Sequence, residues 1–245
     1  MCRWMAYLGD PVLAEELVFR PVHSIIDQSL HANLTGVTTN GDGFGIGWYG
    51  DRPEPSIYKG THPAWNDENL REIAGNIRTP LLFAHVRASS GTPVQRSNCH
   101  PFRHGRWLWM HNGSLANFGE VRRDLQMAVD PTLFPQIEGS TDSETLFFLA
   151  LTFGLTEDPP NAVARAVGLV EDVGRRHGVK YPVHMTVAAR ACPEDLGRRV
   201  CVTRFRCSRR RWCPCRQTPR LSYRAATARY PRSRLIARST VLRVM

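Results

Sequence analysis

Lysine is almost absent from this sequence: Lys59 and Lys180 stand against thirty arginines. No run of eighteen apolar residues occurs, so no transmembrane helix is indicated. The N-terminus has no basic stretch followed by an apolar one, so no secretory signal is expected and a cytoplasmic location is the default. Acidic residues stop at Asp195. Cysteine is sparse early, with Cys2 and Cys99, and crowded late, with Cys192, Cys201, Cys207, Cys213 and Cys215.

These absences divide the chain. Residues 1–189 carry sixteen basic and twenty acidic side chains, whereas residues 190–245 carry sixteen arginines against only Glu194 and Asp195. The formal charge of +10 therefore belongs to a tail attached to a mildly acidic domain. Arg, Cys, Pro, Ser and Thr alternate in that tail with neither a period of two nor of 3.6. Its composition resembles a GC-rich coding region read out of frame, so a disordered or out-of-frame segment is expected. Two other readings compete. Cys207, Cys213 and Cys215 are candidate zinc ligands, but the paired spacing of a zinc finger is missing. Arg209, Arg210 and Arg211 beside Trp212 could contact nucleic-acid phosphates and bases.

The first 189 residues hold ample material for a core. Apolar runs bounded by turn residues predict strands at 46–49, 81–86 and 107–110, and alternation predicts one at 183–188. Thr141 and Glu144 have capping-box spacing ahead of an apolar run at 146–151. Asn161 is the expected cap of a second helix, in which Ala162, Ala166, Leu169, Val170 and Val173 share a face and Gly178 marks the end.

Chemistry-bearing residues fall in five places. Cys2 follows Met1 directly, and its side chain is small enough for Met1 to be removed. The exposed residue would carry a thiol and an α-amine, and an α-amine of pKa roughly 7.7–8 can take the thiol proton. Asn40-Gly41-Asp42-Gly43-Phe44-Gly45-Ile46-Gly47-Trp48 fits no phosphate-loop pattern, and is expected to be a turn bringing backbone close to the N-terminal strand. Arg87 follows a buried strand, where it can grip a carboxylate or form a structural ion pair. Asn112-Gly113 offers a side-chain amide and an unhindered N–H for an oxyanion, although spacing alone favours a hairpin turn. Asp142 falls in a first helical turn, where it suits the helix dipole or a substrate ammonium.

Taken in order, Cys2-Arg3, the glycine-rich stretch, Ala84-His85-Val86-Arg87-Ala88-Ser89, Asn98-Cys99-His100-Pro101-Phe102, His111-Asn112-Gly113 and Gly139-Ser140-Thr141-Asp142-Ser143-Glu144 resemble the class II glutamine amidotransferases, which are N-terminal-nucleophile hydrolases. The resemblance covers about residues 2–189. It implies an α+β fold, a four-layer αββα sandwich, with late strands that the tail is not expected to supply. It also implies Cys2 as nucleophile, Asn112 and Gly113 as oxyanion hole, Arg87 and Ser90 on the substrate, and Asp142 on its α-ammonium. The implied reaction is hydrolysis of a γ-glutamyl amide through a thioester, without metal or cofactor. Nothing recognisable as a synthase follows residue 189, which favours stand-alone γ-glutamyl hydrolases of the glutathione-degrading or ergothioneine type. The alternatives are a glutaminase passing ammonia to a separate synthetase, a partner peptidase subunit, or an inactive homologue whose basic tail binds acidic surfaces.

Overall fold

A computed structural model of the chain describes residues 2–31, 39–89 and 91–191, together with the backbones of residues 201–206 and 240–244. The first strand, β1 (Arg3–Leu13), shows why the core is layered. Trp4 and Ala6 face one way and Met5 and Tyr7 the other, yet all four are buried. A strand apolar on both faces belongs in a sheet covered on both sides. β2 (Phe44–Trp48), β3 (Ser56–Gly60) and β4 (Arg78–Val86) join it in the order β3-β2-β4-β1. β5 (Phe102–His104), β6 (Trp107–Leu115) and β7 (Val183–Ala191) form a second antiparallel sheet in the order β5-β6-β7.

Between the sheets lie Trp4, Ala6, Leu81, Phe83, Leu108 and Met110. The outer face of the first sheet is covered by α1 (Ala14–Val18), α2 (Ile25–Leu30) and α3 (Glu68–Asn76). That of the second is covered by α4 (Phe118–Met127), α5 (Asp142–Thr152) and α6 (Pro159–Arg176). The result is the expected αββα sandwich. Among the described residues no helix is long and apolar enough to cross a membrane.

α5 is buried on every side from Ser143 to Ala150, as a helix wedged between a sheet and its neighbours must be. Thr141 caps it, Oγ1 accepting from Glu144 N at 3.2 Å. The Glu144 carboxylate reaches further back than a capping box requires, accepting from Glu138 N at 3.1 Å and Gly139 N at 2.7 Å. α6 begins earlier than expected: Asp158, not Asn161, is its cap, accepting from Asn161 N at 3.3 Å. Pro159 and Pro160 occupy the first turn, where an absent N–H costs nothing.

The glycine-rich stretch is part turn and part strand: residues 40–43 lead into β2, which takes 44–48 where 46–49 was expected. β2 departs from expectation in its neighbours, being flanked by β3 and β4 and not by the N-terminal strand. Its glycines alternate with Phe44 and Ile46, and they face the second sheet. A Cβ on Gly45 would lie 2.1 Å from the carbonyl oxygen of His100, and one on Gly47 2.8 Å from Pro101. The missing side chains let the two sheets close to backbone distance.

The tail needs a correction. It was expected to supply no strands, but β7 runs to Ala191, β8 (Cys201–Arg206) pairs with β7, and β9 (Thr240–Val244) pairs with β1. Backbone groups along an open sheet edge accept any extended segment, with or without apolar alternation. Cys207, Cys213, Cys215 and residues 209–212 lie outside the described residues.

The close approach at β2 generates a contrast. Gly45→Ala should lose about 3 kcal/mol of stability, because backbone rather than a flexible side chain blocks the new methyl. Gly75→Ala in α3, with nothing within 4 Å of the added carbon, should gain up to about 1 kcal/mol. Urea unfolding midpoints measure both, and equal midpoints would contradict this packing.

Candidate active site

Cys2 precedes β1 at the end where Arg3 pairs with Val86 of β4, which places it beside the residues just past β4. Its Sγ lies 3.3 Å from Ala88 N and 3.4 Å from Ala88 O. Its residue number shares the parity of Trp4 and Ala6, so the side chain belongs to the seam between the sheets. From the other sheet, Asn112 Nδ2 donates to the Cys2 carbonyl oxygen at 3.0 Å. One residue thus touches both sheets. Burial pushes the Cys2 thiol above its usual pKa, opposed by the Ala88 hydrogen bond and the Arg87 guanidinium. The resting thiol is therefore protonated at neutral pH and needs a base to react.

Arg87 is 4% exposed. Its Nη2 donates to Thr92 Oγ1 at 2.6 Å and Ser89 Oγ at 3.1 Å, and Nη1 donates to the Asp42 carbonyl at 3.3 Å. The Asp42 carboxylate is turned to Ser89 N, at 2.7 Å. The structural ion pair weighed from sequence is absent among the described residues: no carboxylate lies within ion-pair distance of this guanidinium. A buried cation held only by neutral oxygens is set up to receive an anion.

Asn112 and Gly113 do not make a hairpin turn. They lie within β6, paired with Thr186 and Met185 of β7. Asn112 continues the row of Leu108 and Met110 into the seam and so reaches Cys2. Gly113 has φ +147°, and an added Cβ would lie 1.9 Å from the His184 carbonyl, so only glycine fits. Asp142 opens α5, its Oδ2 accepting from Leu115 N at 2.8 Å, so the end of β6 anchors it.

The structure thus joins Cys2, Arg87 and Asn112 through direct or adjacent contacts, with Gly113 next in chain and Asp142 tied to the same strand. Ser90 lies outside the described residues. Asn98, given no role from sequence, proves to be a staple. Fully buried, it donates to Ser140 Oγ at 3.1 Å and Pro93 O at 3.0 Å and accepts from Ser140 N at 2.8 Å. It fixes the loop before α5 to the loop after Arg87. No local sequence signal separates such a staple from an ordinary turn asparagine. Among the described residues no group of three or more His, Cys, Asp or Glu is placed to hold a metal ion.

Residues 23–168 match the family of class-II glutamine amidotransferases. The chain belongs to that family. Cys2 lies ahead of the matched stretch, while Arg87, Asn112, Gly113 and Asp142 fall inside it. The chain is 39% identical over 160 residues to a probable glutamine amidotransferase, DUG3, of Saccharomyces cerevisiae, covering 62% of this chain and 45% of that protein. It is 33% identical over 116 residues to a γ-glutamyl-hercynylcysteine sulfoxide hydrolase of Mycolicibacterium smegmatis, covering 46% of this chain and 51% of that one. The chain thus spans about half the length of these curated relatives. A glutamine aminotransferase class-II domain protein from Silicibacter pomeroyi superposes with TM-score 0.61 at 36% identity, over 78% of this chain and 73% of its own. A glutamine phosphoribosylpyrophosphate amidotransferase from B. subtilis, at 16% identity, TM-score 0.50 and 78% and 35% coverage, shares the fold.

Beneath this site the seam holds two imidazoles in tilted contact. His85 and His100 have ring centroids 4.3 Å apart, and among the described residues neither ring has a hydrogen-bond partner. Burial, with the Arg87 charge adding to it, pushes His85 down to about 3, and burial takes His100 well below its usual value. An unfolded chain gains a proton on His85 as pH falls through about 6.5, which the folded chain refuses. Stability from this residue is therefore complete above about pH 6.5 and is lost on acidification toward about 3. Urea titrations in steps below neutral pH should show His85→Gln losing stability less steeply than the parent, by about 1.4 kcal/mol per pH unit. Parallel slopes would contradict the buried, neutral imidazole.

Proposed function

We propose that the chain hydrolyses a γ-glutamyl amide, with Cys2 as an N-terminal nucleophile acting through a thioester. The observation that carries this reading is the placement of Cys2 between Ala88, beside the carboxylate-free Arg87 guanidinium, and the Asn112 amide. A γ-glutamyl group is a zwitterion at one end and an amide at the other. Arg87 takes its α-carboxylate by a two-pronged contact. Asp142 takes its α-ammonium, the opposite charge. These two grips fix the distal amide over Cys2.

Loss of Met1 exposes the α-amine of Cys2, which accepts the thiol proton directly or through one water. The thiolate attacks the γ-carbonyl carbon and its oxygen becomes an oxyanion. Asn112 spends one amide hydrogen on the Cys2 carbonyl and keeps the second for that oxyanion, beside the Gly113 N–H. Collapse expels an amine or ammonia, protonated by the α-ammonium. Water then attacks the thioester and releases glutamate. Ser90, in the loop following Arg87, belongs to the substrate surface in this reading.

The relatives' names favour glutamine or γ-glutamyl substrates, and they leave two leaving-group classes, ammonia or a sulfur-containing amine. Glutamate release from glutamine, glutathione and γ-glutamyl-p-nitroanilide separates these. Cys2→Ala should retain no more than about one thousandth of parental turnover. Asn112→Ala should lower kcat on the order of 10²-fold, and Arg87→Gln should act mainly on KM. Parental turnover in Cys2→Ala would overturn the mechanism, and no glutamate release by the parental chain from any of the three would favour the inactive-homologue reading.

A further inference from the structure

Along β6, side chains alternate between the seam and the helices. Asn112 faces the seam, so His111 beside it faces α5. There His111 Nδ1 lies 2.7 Å from Ser143 Oγ, and Ser143 Oγ donates to Asp142 Oδ1 at 3.2 Å. An ionised carboxylate only accepts, so the single hydroxyl proton of Ser143 goes to Asp142. His111 must then be the donor to Ser143, which selects its Nδ1–H tautomer. The other tautomer would draw the hydroxyl proton away and leave Asp142 Oδ1 without it. Ser143 has no competing duty as helix cap, because Thr141 performs that role.

Asp142 is thereby gripped at both oxygens from one strand: Leu115 N holds Oδ2 directly, and His111 holds Oδ1 through Ser143. His111 is 2% exposed and Ser143 6%. The charged or titratable groups bearing on His111 are Asp142 from α5, which favours its protonation, and His184 from β7, which opposes it. Burial, acting in the same direction as His184, outweighs Asp142 and keeps the imidazole neutral at neutral pH.

We infer that His111 and Ser143 are positioning residues that aim the Asp142 carboxylate, and so set the preference for γ-glutamyl substrates over otherwise identical ones lacking the α-amine. The inference rests on Asp142 as the ammonium acceptor. It also links two parts of the site mechanically, because Asn112, the oxyanion donor, and His111, the start of the relay, are consecutive on one strand. Any shift of β6 would move both together.

The test compares γ-glutamyl-p-nitroanilide with glutaryl-p-nitroanilide, which keeps the carboxylate and loses the amine. The parental chain should prefer the first, and Asp142→Asn should abolish most of that preference. Ser143→Ala should reduce the preference about tenfold, the change lying in KM for the amine-bearing substrate and not in kcat. His111→Phe, which also breaks the relay, should behave alike. Ser143→Thr and His111→Asn, which keep a hydroxyl and a donor at the Nδ1 position, should restore it. An intact preference in Asp142→Asn would overturn the ammonium reading itself. A preference lost in Asp142→Asn but intact in Ser143→Ala and His111→Phe would overturn the relay alone. Equal losses on both substrates would reduce the pair to a structural role.

Discussion

The hydrogen bond from Asn112 Nδ2 to the Cys2 carbonyl, 3.0 Å across the seam between the two sheets, is the contact on which the site depends. It forms only if β1 and β6 are brought to a fixed separation, and that separation is set away from the site. Gly45 of β2 admits the His100 carbonyl and Gly47 the Pro101 ring and Leu108 side chain, which lowers the second sheet onto the first. Register does the rest. Arg3 opposite Val86 puts Cys2 beside Ala88, and Gly113 opposite Met185 puts Asn112 over it. A slip of one residue in either pair would turn the side chain out of the seam.

Electrostatically the site is divided into a cation with no anion beside it among the described residues and an anion fixed in place. Arg87 is buried among hydroxyl and carbonyl oxygens, while Asp142 is held at both oxygens by β6 and Ser143. Burying a guanidinium without a counter-charge costs stability, and such a cost is retained where a ligand supplies the missing charge. Burial acts on Cys2 as well, keeping the thiol protonated at rest. In the proposed reaction proton removal is therefore a step of its own instead of a property of the resting protein, which suits an α-amine as base.

What was legible in the sequence follows from how local each signal is. The strands at 81–86 and 107–110 declare themselves because strands buried on both faces are largely apolar, and that at 183–188 because apolar and polar residues alternate at its start; each extends beyond the predicted run in the structure. The cap of α5 was legible since Thr141 and Glu144 act within one turn. The start of α6 was misplaced because Asp158 lies ahead of two prolines that read as a break. Asn112-Gly113 is locally identical to a hairpin, and only the pairing with β7 shows otherwise. The partner of Gly45 is fifty-five residues away, so nothing in the glycine-rich stretch reveals which backbone it admits. Likewise β8 and β9 pair through backbone groups, to which composition is blind.

The central claim is that Cys2, freed of Met1, carries the γ-glutamyl group in covalent form. Mass spectrometry of the full chain, acid-quenched during turnover of γ-glutamyl-p-nitroanilide, tests it most directly. The account predicts a chain beginning at Cys2 with one γ-glutamyl group on its N-terminal peptide, labile to hydroxylamine as a thioester is. Turnover by chains that retain Met1, or an adduct located on any other residue, would contradict it.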